Sequence, residues 1–247
     1  MQILPGEHPI TGYWRWVEEI PAEVYPPELV AVGRRRIPGV AAFPGSHGLY
    51  APCGFDPHSI PEFPHGGVMF VGNHLDSEES YTRRVEAGTP HGDPCPGAKR
   101  MPFWNRLYDL LDAAEVPREQ LFATNAHPAL LRGKSATGRI AARYPAWGEA
   151  TGRILQAQIQ VMRPRVIACL AAPASDFVQR MLGRPRTREP SWEPVSIRDL
   201  TTRLVSLAHP SAYEWQFDRD RRYAGVSGRA ADALLLRDTW RGTTAAE

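Results

Sequence analysis

Lysine and cysteine are both scarce in this 247-residue chain. Lys99 and Lys134 are the only lysines, and Cys53, Cys95 and Cys169 lie far apart in the sequence. Dispersed cysteines in odd number argue against a disulfide framework and are typical of a reducing cytoplasm. No apolar run is long enough to cross a membrane, and the N-terminus carries no secretion signal. The sequence therefore predicts a cytoplasmic protein that has no membrane partner.

The charge balance gives no simple signal for a nucleic-acid partner. The formal net charge is only +2, and the chain is 43% hydrophobic and 23% charged, as in an ordinary globular protein. All cations other than the two lysines are arginine, whose planar fork suits phosphate recognition. The alternative explanation is codon bias in a GC-rich genome. The length fits one sizeable domain, or one domain with an extension.

Short apolar runs alternate with helical patterns along the chain. The runs cover residues 68–71, 121–124, 166–170 and 204–207, and amphipathic helices are expected from about residues 102, 149, 173 and 227. Continuous apolar strands of this kind are buried on both faces, as in parallel sheets. The pattern predicts an α/β fold, a three-layer α/β/α sandwich with a central four-stranded parallel sheet. Residues 183–200 are polar and are expected to be irregular.

Polar side chains follow these strands. Gly72 is expected to end the first strand, so that Asn73, His74 and Asp76 lie in a loop, and Asn125 is expected to hold the same position after the second strand. The carboxyl ends of parallel strands are where open α/β sheets bind ligands. The sequence therefore predicts a site at this edge of the sheet.

The first of these segments has a simpler interpretation. Asp76 or Ser77 would cap the next helix, with Glu78 and Glu79 in its first turn. Taken alone, the segment favours the cap.

Two further loops contain residues of the kinds that bind ligands. Cations in the loop 129–148 fit a groove for a phosphate backbone, and the candidate DNA contacts among them are Arg132, Lys134 and Arg139. His91 and Cys95 invite a zinc-deaminase interpretation, but the glutamate and the second cysteine of that signature are missing. No metal site is predicted.

Five short motifs occur in order between residues 66 and 215. They are Gly72-Asn73, Pro102-Phe103, Thr124-Asn125, the segment 163–167 (Arg-Pro-Arg-Val-Ile), and His209-Pro210-Ser211. In this order they resemble the uracil-DNA glycosylase superfamily, most closely the bacterial branch called family 4. Two departures stand out. Asn73 replaces the glutamate of that branch, and the three dispersed cysteines cannot form its iron–sulfur cluster.

The resemblance implies a role for each matched position. Phe103 would stack on an extruded base, Asn125 would read its edge, and His209 would stabilise the departing base. His74 is a further candidate for binding the base or for positioning the water. Asn73 and Asp76 would complete the catalytic group. Ser211 and Tyr213 would belong to the DNA-inserting loop.

The resemblance also implies the wider properties of the protein. These are DNA as partner through a flipped nucleotide, no cofactor, a monomer, and a bacterial or phage-related cytoplasm. Residues 1–60 would form a Pro-rich extension packed on a glycosylase-like domain at 61–247.

Three functions remain open at this point. The first is a monofunctional DNA glycosylase for uracil or a modified pyrimidine. A monofunctional enzyme is preferred because neither lysine lies near the strand ends, so no Schiff-base nucleophile is evident. The second is a glycosylase for hypermodified cytosine in phage DNA, acting in defence. The third is a catalytically inactive nucleic-acid-binding module, which Asn73 favours.

Overall fold

The protein is described by a computed structural model that covers residues 4–7, 9–19, 29–31, 66–86, 102–131, 133, 145–185, 192–210 and 222–242. The helices within these ranges are α1 (Pro9–Glu18), α2 (Glu78–Glu86), α3 (Pro102–Ala113), α4 (Pro145–Met162), α5 (Ala171–Met181) and α6 (Gly228–Arg241). The strands are β1 (Leu29–Ala31), β2 (Val68–Ser77), β3 (Leu121–Leu131), β4 (Val166–Leu170), β5 (Trp192–Ile197), β6 (Leu200–Leu207), β7 (Arg222–Tyr223) and β8 (Val226–Ser227).

The central sheet has the strand order β1-β3-β2-β4-β6-β5. Its four middle strands are parallel, and β1 and β5 are antiparallel edges. The chain runs from β2 outward to β3 and then returns to β4 on the other side of β2. The fold class is confirmed, and a topological switch point of the kind that binds ligands lies between β2 and β4.

Helices cover both faces of the sheet. Successive side chains of each strand point to opposite faces, so an apolar strand needs cover on both. In β2, Val68 and Phe70 join one buried cluster with residues of α3 and α6. Met69 and Val71 join the other cluster with residues of α1, α4 and α5. A strand covered on both sides needs apolar residues at every position, which is why this run contains no polar residue.

The expectation of an irregular segment at 183–200 is wrong, because β5 lies within it. Val195 and Ile197 are buried, while Pro194 and Ser196 are exposed. Proline is tolerated at a sheet edge. The strand buries one face only, so it lacks the continuous apolar run that identified the central strands.

The expected loops after the first two strands are also wrong. β2 continues to Ser77 and β3 to Leu131, and the two extensions pair with each other. Pairing between the two extensions satisfies their backbone groups. Polar residues such as His74 in β2, and Pro128 in β3, interrupt the apolar runs, so the sequence pattern indicated loops here. The register shifts between His74 and Asp76, as at a β-bulge.

The helix α1 is joined to the core by buried hydrogen bonds. Thr124 Oγ1 donates to Gln158 Oε1 at 2.8 Å, and Gln158 Nε2 donates to the hydroxyl of Tyr13 at 2.9 Å. Tyr13 is fully buried. This network connects α1 through α4 to the residue that precedes Asn125. The division into an extension at 1–60 and a domain at 61–247 remains a prediction.

Of the helices that the structure describes, none has the length and apolarity needed to traverse a bilayer.

Candidate active site

Asn125 and Gly72 face each other across β2 and β3. The two residues are register partners, and a Cβ atom on Gly72 would lie 2.5 Å from Oδ1 of Asn125. Real side chains do not approach so closely, so only glycine leaves room for the amide. A glycine inside a strand often marks such a close approach. Gly72 therefore belongs to the site, a role that neither its place at the expected strand end nor the Gly72-Asn73 motif predicts.

Phe103 and His209 form the second part of the site. Their ring centroids are 5.5 Å apart, with an interplanar angle of 41°. Phe103 lies in the first turn of α3, and Trp104 meets its ring edge-on at 5.0 Å between centroids. Both Phe103 and His209 are half-buried. Each of the two residues therefore keeps part of its surface accessible.

The environment of His209 favours a neutral ring. Burial lowers the pKa of the His209 imidazole from its ordinary value of 6.5. Desolvation disfavours the charged form of a histidine. At neutral pH the ring is therefore an uncharged donor and acceptor rather than an imidazolium.

These two parts lie on the same face and the same edge of the sheet. Asn125 continues the alternation of Leu121 and Ala123, which belong to the cluster under α3 and α6. His209 follows Leu207, a member of that cluster, and Phe103 packs against it. All three site residues come from the carboxyl ends of parallel strands or from the helix that covers this face.

Asn73 does not share the position of Asn125. The register pairs Asn125 with Gly72, one residue earlier, so the expected equivalence of the two asparagines is wrong. In a strand, a shift of one residue changes the face. Asn73 follows Val71, which belongs to the cluster beneath α4 and α5. Asn73 is half-buried at the same edge of the sheet, but on the other face.

The end of β2 also carries a helix cap. Ser77 Oγ accepts a hydrogen bond from the backbone N–H of Ser80 at 3.3 Å, and Glu78 and Glu79 lie in the first turn of α2. The simpler interpretation of this segment is therefore right for Ser77. His74 and Asp76 lie in β2 by their backbone, and their side chains are outside the described set.

The predicted DNA contacts lie outside the residues that the structure describes. They are Arg132, Lys134, Arg139, Ser211 and Tyr213. The same holds for His91, Cys53 and Cys95. Cys169 is buried in β4, and burial raises the pKa of its thiol well above the ordinary range. Among the described residues, no group of histidine, cysteine and acidic side chains could hold a metal ion.

One further residue of α3 touches the site and was missed. Nη1 of Arg106 donates to the backbone carbonyl of Pro210 at 3.2 Å. Pro210 directly follows His209, so α3 contacts two consecutive residues beyond β6. Only the spacing of three from Phe103 hinted that Arg106 shares that face of the helix.

Comparison with known proteins is consistent with this geometry. A profile of the Uracil DNA glycosylase superfamily matches residues 62–225, which is well over half of the chain and includes all of the site residues described above. No match was found among curated proteins. The matched range runs from the start of β2 past β6, so it contains the parallel sheet and its carboxyl edge. The chain belongs to the uracil DNA glycosylase superfamily, and this membership supports a glycosylase-type function.

Proposed function

We propose that the protein is a monofunctional DNA glycosylase that excises uracil or a modified pyrimidine and leaves an abasic site. The observation that carries the proposal is the contact between the rings of Phe103 and His209, with Asn125 on the same face of the sheet at its carboxyl edge. An aromatic ring, an amide and a neutral imidazole are what a single flipped base requires. The base must leave the duplex to reach them.

Each side chain has a distinct part in recognition. The Phe103 ring offers a stacking surface. Asn125 supplies one acceptor and two donors, which match the edge of a pyrimidine. Because Gly72 leaves room for it, the Asn125 amide can keep one orientation toward the base. Orientation fixed before binding lowers the entropic cost of recognition.

The reaction is hydrolysis of the N-glycosidic bond. Water adds to C1′ of the sugar, the bond electrons leave with the base, and a proton passes from the water to solvent or to the departing base. Negative charge develops on the base, and an N–H of neutral His209 would stabilise it at a pyrimidine carbonyl. Positive charge develops on the sugar, which a carboxylate stabilises.

Asp76 is the preferred candidate for that carboxylate. Glu78 and Glu79 are the alternatives, but their place in the first turn of α2 gives them a structural role at the helix dipole. Asn73 or His74 would position the water. With Asn73 on the other face from Asn125, we assign Asn73 to the water or sugar side rather than to the base edge.

A catalytically inactive DNA-binding module is the second candidate. It is favoured by Asn73, because an amide stands where the first motif of family 4 has the carboxylate of a glutamate. Such a module would bind duplexes and leave every glycosidic bond intact.

The test is a panel of duplexes that carry uracil, hypoxanthine, hydroxymethylated cytosine or glucosylated cytosine at one position. Alkali converts each abasic site into a strand break. We expect breaks with uracil or with one of the modified cytosines, and the modified-cytosine result would support a role against phage DNA. Binding without any break would support the inactive module and would rule out the glycosylase.

A further inference from the structure

Arg106 stands beside the base site in an arrangement that the excision chemistry does not use. It follows Phe103 by three residues in α3, and residues at this spacing are neighbours on a helix surface. Phe103 meets the His209 ring, while Arg106 donates to the Pro210 carbonyl at 3.2 Å. The same face of α3 therefore holds both the histidine and the residue after it.

Among the residues that the structure describes, most of the hydrogen-bonding groups of Arg106 have no partner. A guanidinium has five N–H donors, and within the described ranges the Pro210 carbonyl is the one partner that Arg106 has. Several other arginines pair with carboxylates, among them Arg118, Arg163 and Arg184. Asp109 lies one turn further along α3, yet it forms no ion pair with Arg106.

This combination points to an anion as the missing partner. Arg106 is half-buried, and a cation that has lost part of its hydration gains most from a charged acceptor. The flat fork of arginine binds the paired oxygens of a phosphate. A base that stacks on Phe103 beside His209 brings the phosphates that flank its sugar toward this face of α3.

We propose that Arg106 binds a backbone phosphate next to the extracted nucleotide, using the N–H groups that Pro210 leaves unused. The inference rests on the proposed function in taking DNA as the ligand. The same guanidinium contacts Pro210, so phosphate binding and the position of the segment that carries His209 are linked through one side chain. The contact is independent of base identity, since a phosphodiester carries no sequence information.

The first experiment measures binding against salt. The ligand is a duplex with a tetrahydrofuran abasic analogue, and affinities are read by fluorescence anisotropy for the wild type and for Arg106→Gln. We expect Arg106→Gln to bind about 10-fold more weakly. Its slope of log K against log salt should be smaller by about 1, as for one lost phosphate contact. The matched control is Arg153→Gln, which removes an exposed arginine on α4 and should leave both quantities unchanged.

The second experiment identifies the phosphate. Single neutral methylphosphonates are placed at each position around the analogue, and each duplex is titrated with wild type and Arg106→Gln. At one position the substitution should weaken the wild type and leave Arg106→Gln unaffected. Equal losses at every position, with an unchanged salt slope, would mean that Arg106 only tethers Pro210, and the proposal would be wrong.

Folding and function are checked separately. Thermal melting compares the variants, and if Arg106→Gln does not fold, the same measurements are made with Arg106→Met, which keeps the aliphatic stem, removes the charge and should give the same loss of salt slope. The wild type could excise no base and still differ from Arg106→Gln in salt slope and at one methylphosphonate position. That result would remove the proposed activity and keep the phosphate site. Excision by a wild type that matches Arg106→Gln in both measurements would keep the proposed activity and remove the phosphate site. A wild type that does not bind the duplex would overturn both.

Discussion

The Oδ1 atom of Asn125 lies 2.5 Å from the point that a Cβ atom on Gly72 would occupy. The methyl group of Gly72→Ala must therefore displace the Asn125 amide. The backbone at Gly72 is not in the left-handed region, so it accepts alanine without strain of its own. We expect excision by Gly72→Ala to fall by at least about 10-fold, the effect of misplacing one recognition group. The measurement is the single-turnover rate on the preferred duplex, together with a melting curve.

The control for this variant is Gly152→Ala. A Cβ at Gly152 in α4 would be 3.7 Å from the Met181 side chain, an ordinary contact, and alanine in a helix adds about 0.4–1 kcal/mol of stability. Its excision rate should equal that of the wild type. In the double variant Gly72→Ala/Asn125→Ala, the glycine change should cost nothing further. Fully additive losses would contradict the steric relationship.

The second prediction concerns the ring pair. Phe103→Ala opens the His209 imidazole to water, so the pKa of His209 should rise back toward 6.5, because burial is what lowers it. Histidine resonances followed by NMR against pH give this value directly. Leu110→Ala alters another partly buried side chain of α3 and should leave the pKa of His209 where it is. A pKa of 6.5 or above in the wild type would contradict the buried, neutral ring.

The third prediction is the pH dependence of folding. The pKa of His209 is lower in the folded state than in the unfolded chain. Below about pH 6.5 the unfolded state therefore takes up the proton first, and stability falls as the pH is lowered. Between pH 7 and 5 the wild type should lose more stability than His209→Gln, measured by urea unfolding. Parallel curves for the two proteins would mean that His209 contributes nothing to this loss.

The fourth prediction concerns the buried link to α1. Tyr13→Phe removes the hydroxyl that accepts from Gln158 Nε2, and a buried donor without its partner costs about 1–3 kcal/mol. We expect that loss in the free energy of unfolding. Gln158→Leu removes the donor as well, so adding Tyr13→Phe to it should cost little more. An unchanged midpoint for Tyr13→Phe would show that α1 does not depend on this bond.

The central strands were predictable from the sequence because they are buried on both faces. Residues 68–71 and 166–170 are apolar at every position, and each forms part of a parallel strand. The extensions of β2 and β3 were not predictable in this way, since polar residues and a proline interrupt their apolar runs although their backbones pair. β5 was missed because it buries only alternate residues.

The site was only partly predictable, because motifs identify residues but not the register between neighbouring strands. Asn125, Phe103 and His209 stand in short motifs. The structure brings the rings of Phe103 and His209 into contact and places Asn125 on the same face of the sheet, while their roles stay a prediction. The register between β2 and β3 was not readable from the sequence. It pairs Asn125 with Gly72 rather than with Asn73. This difference of one residue is the reason why the Asn125 amide lies against a glycine. Arg106 carried no signal beyond its helical spacing from Phe103.

The most direct test compares wild type with His209→Gln on the preferred duplex under single-turnover conditions, with binding to that duplex measured in parallel. Removing one donor that stabilises a developing negative charge costs about 10²–10³ in rate. We predict a loss of that size with binding retained. Equal rates for the two proteins, or no abasic site from the wild type on any duplex, would contradict the assignment of this sheet edge as the site of excision.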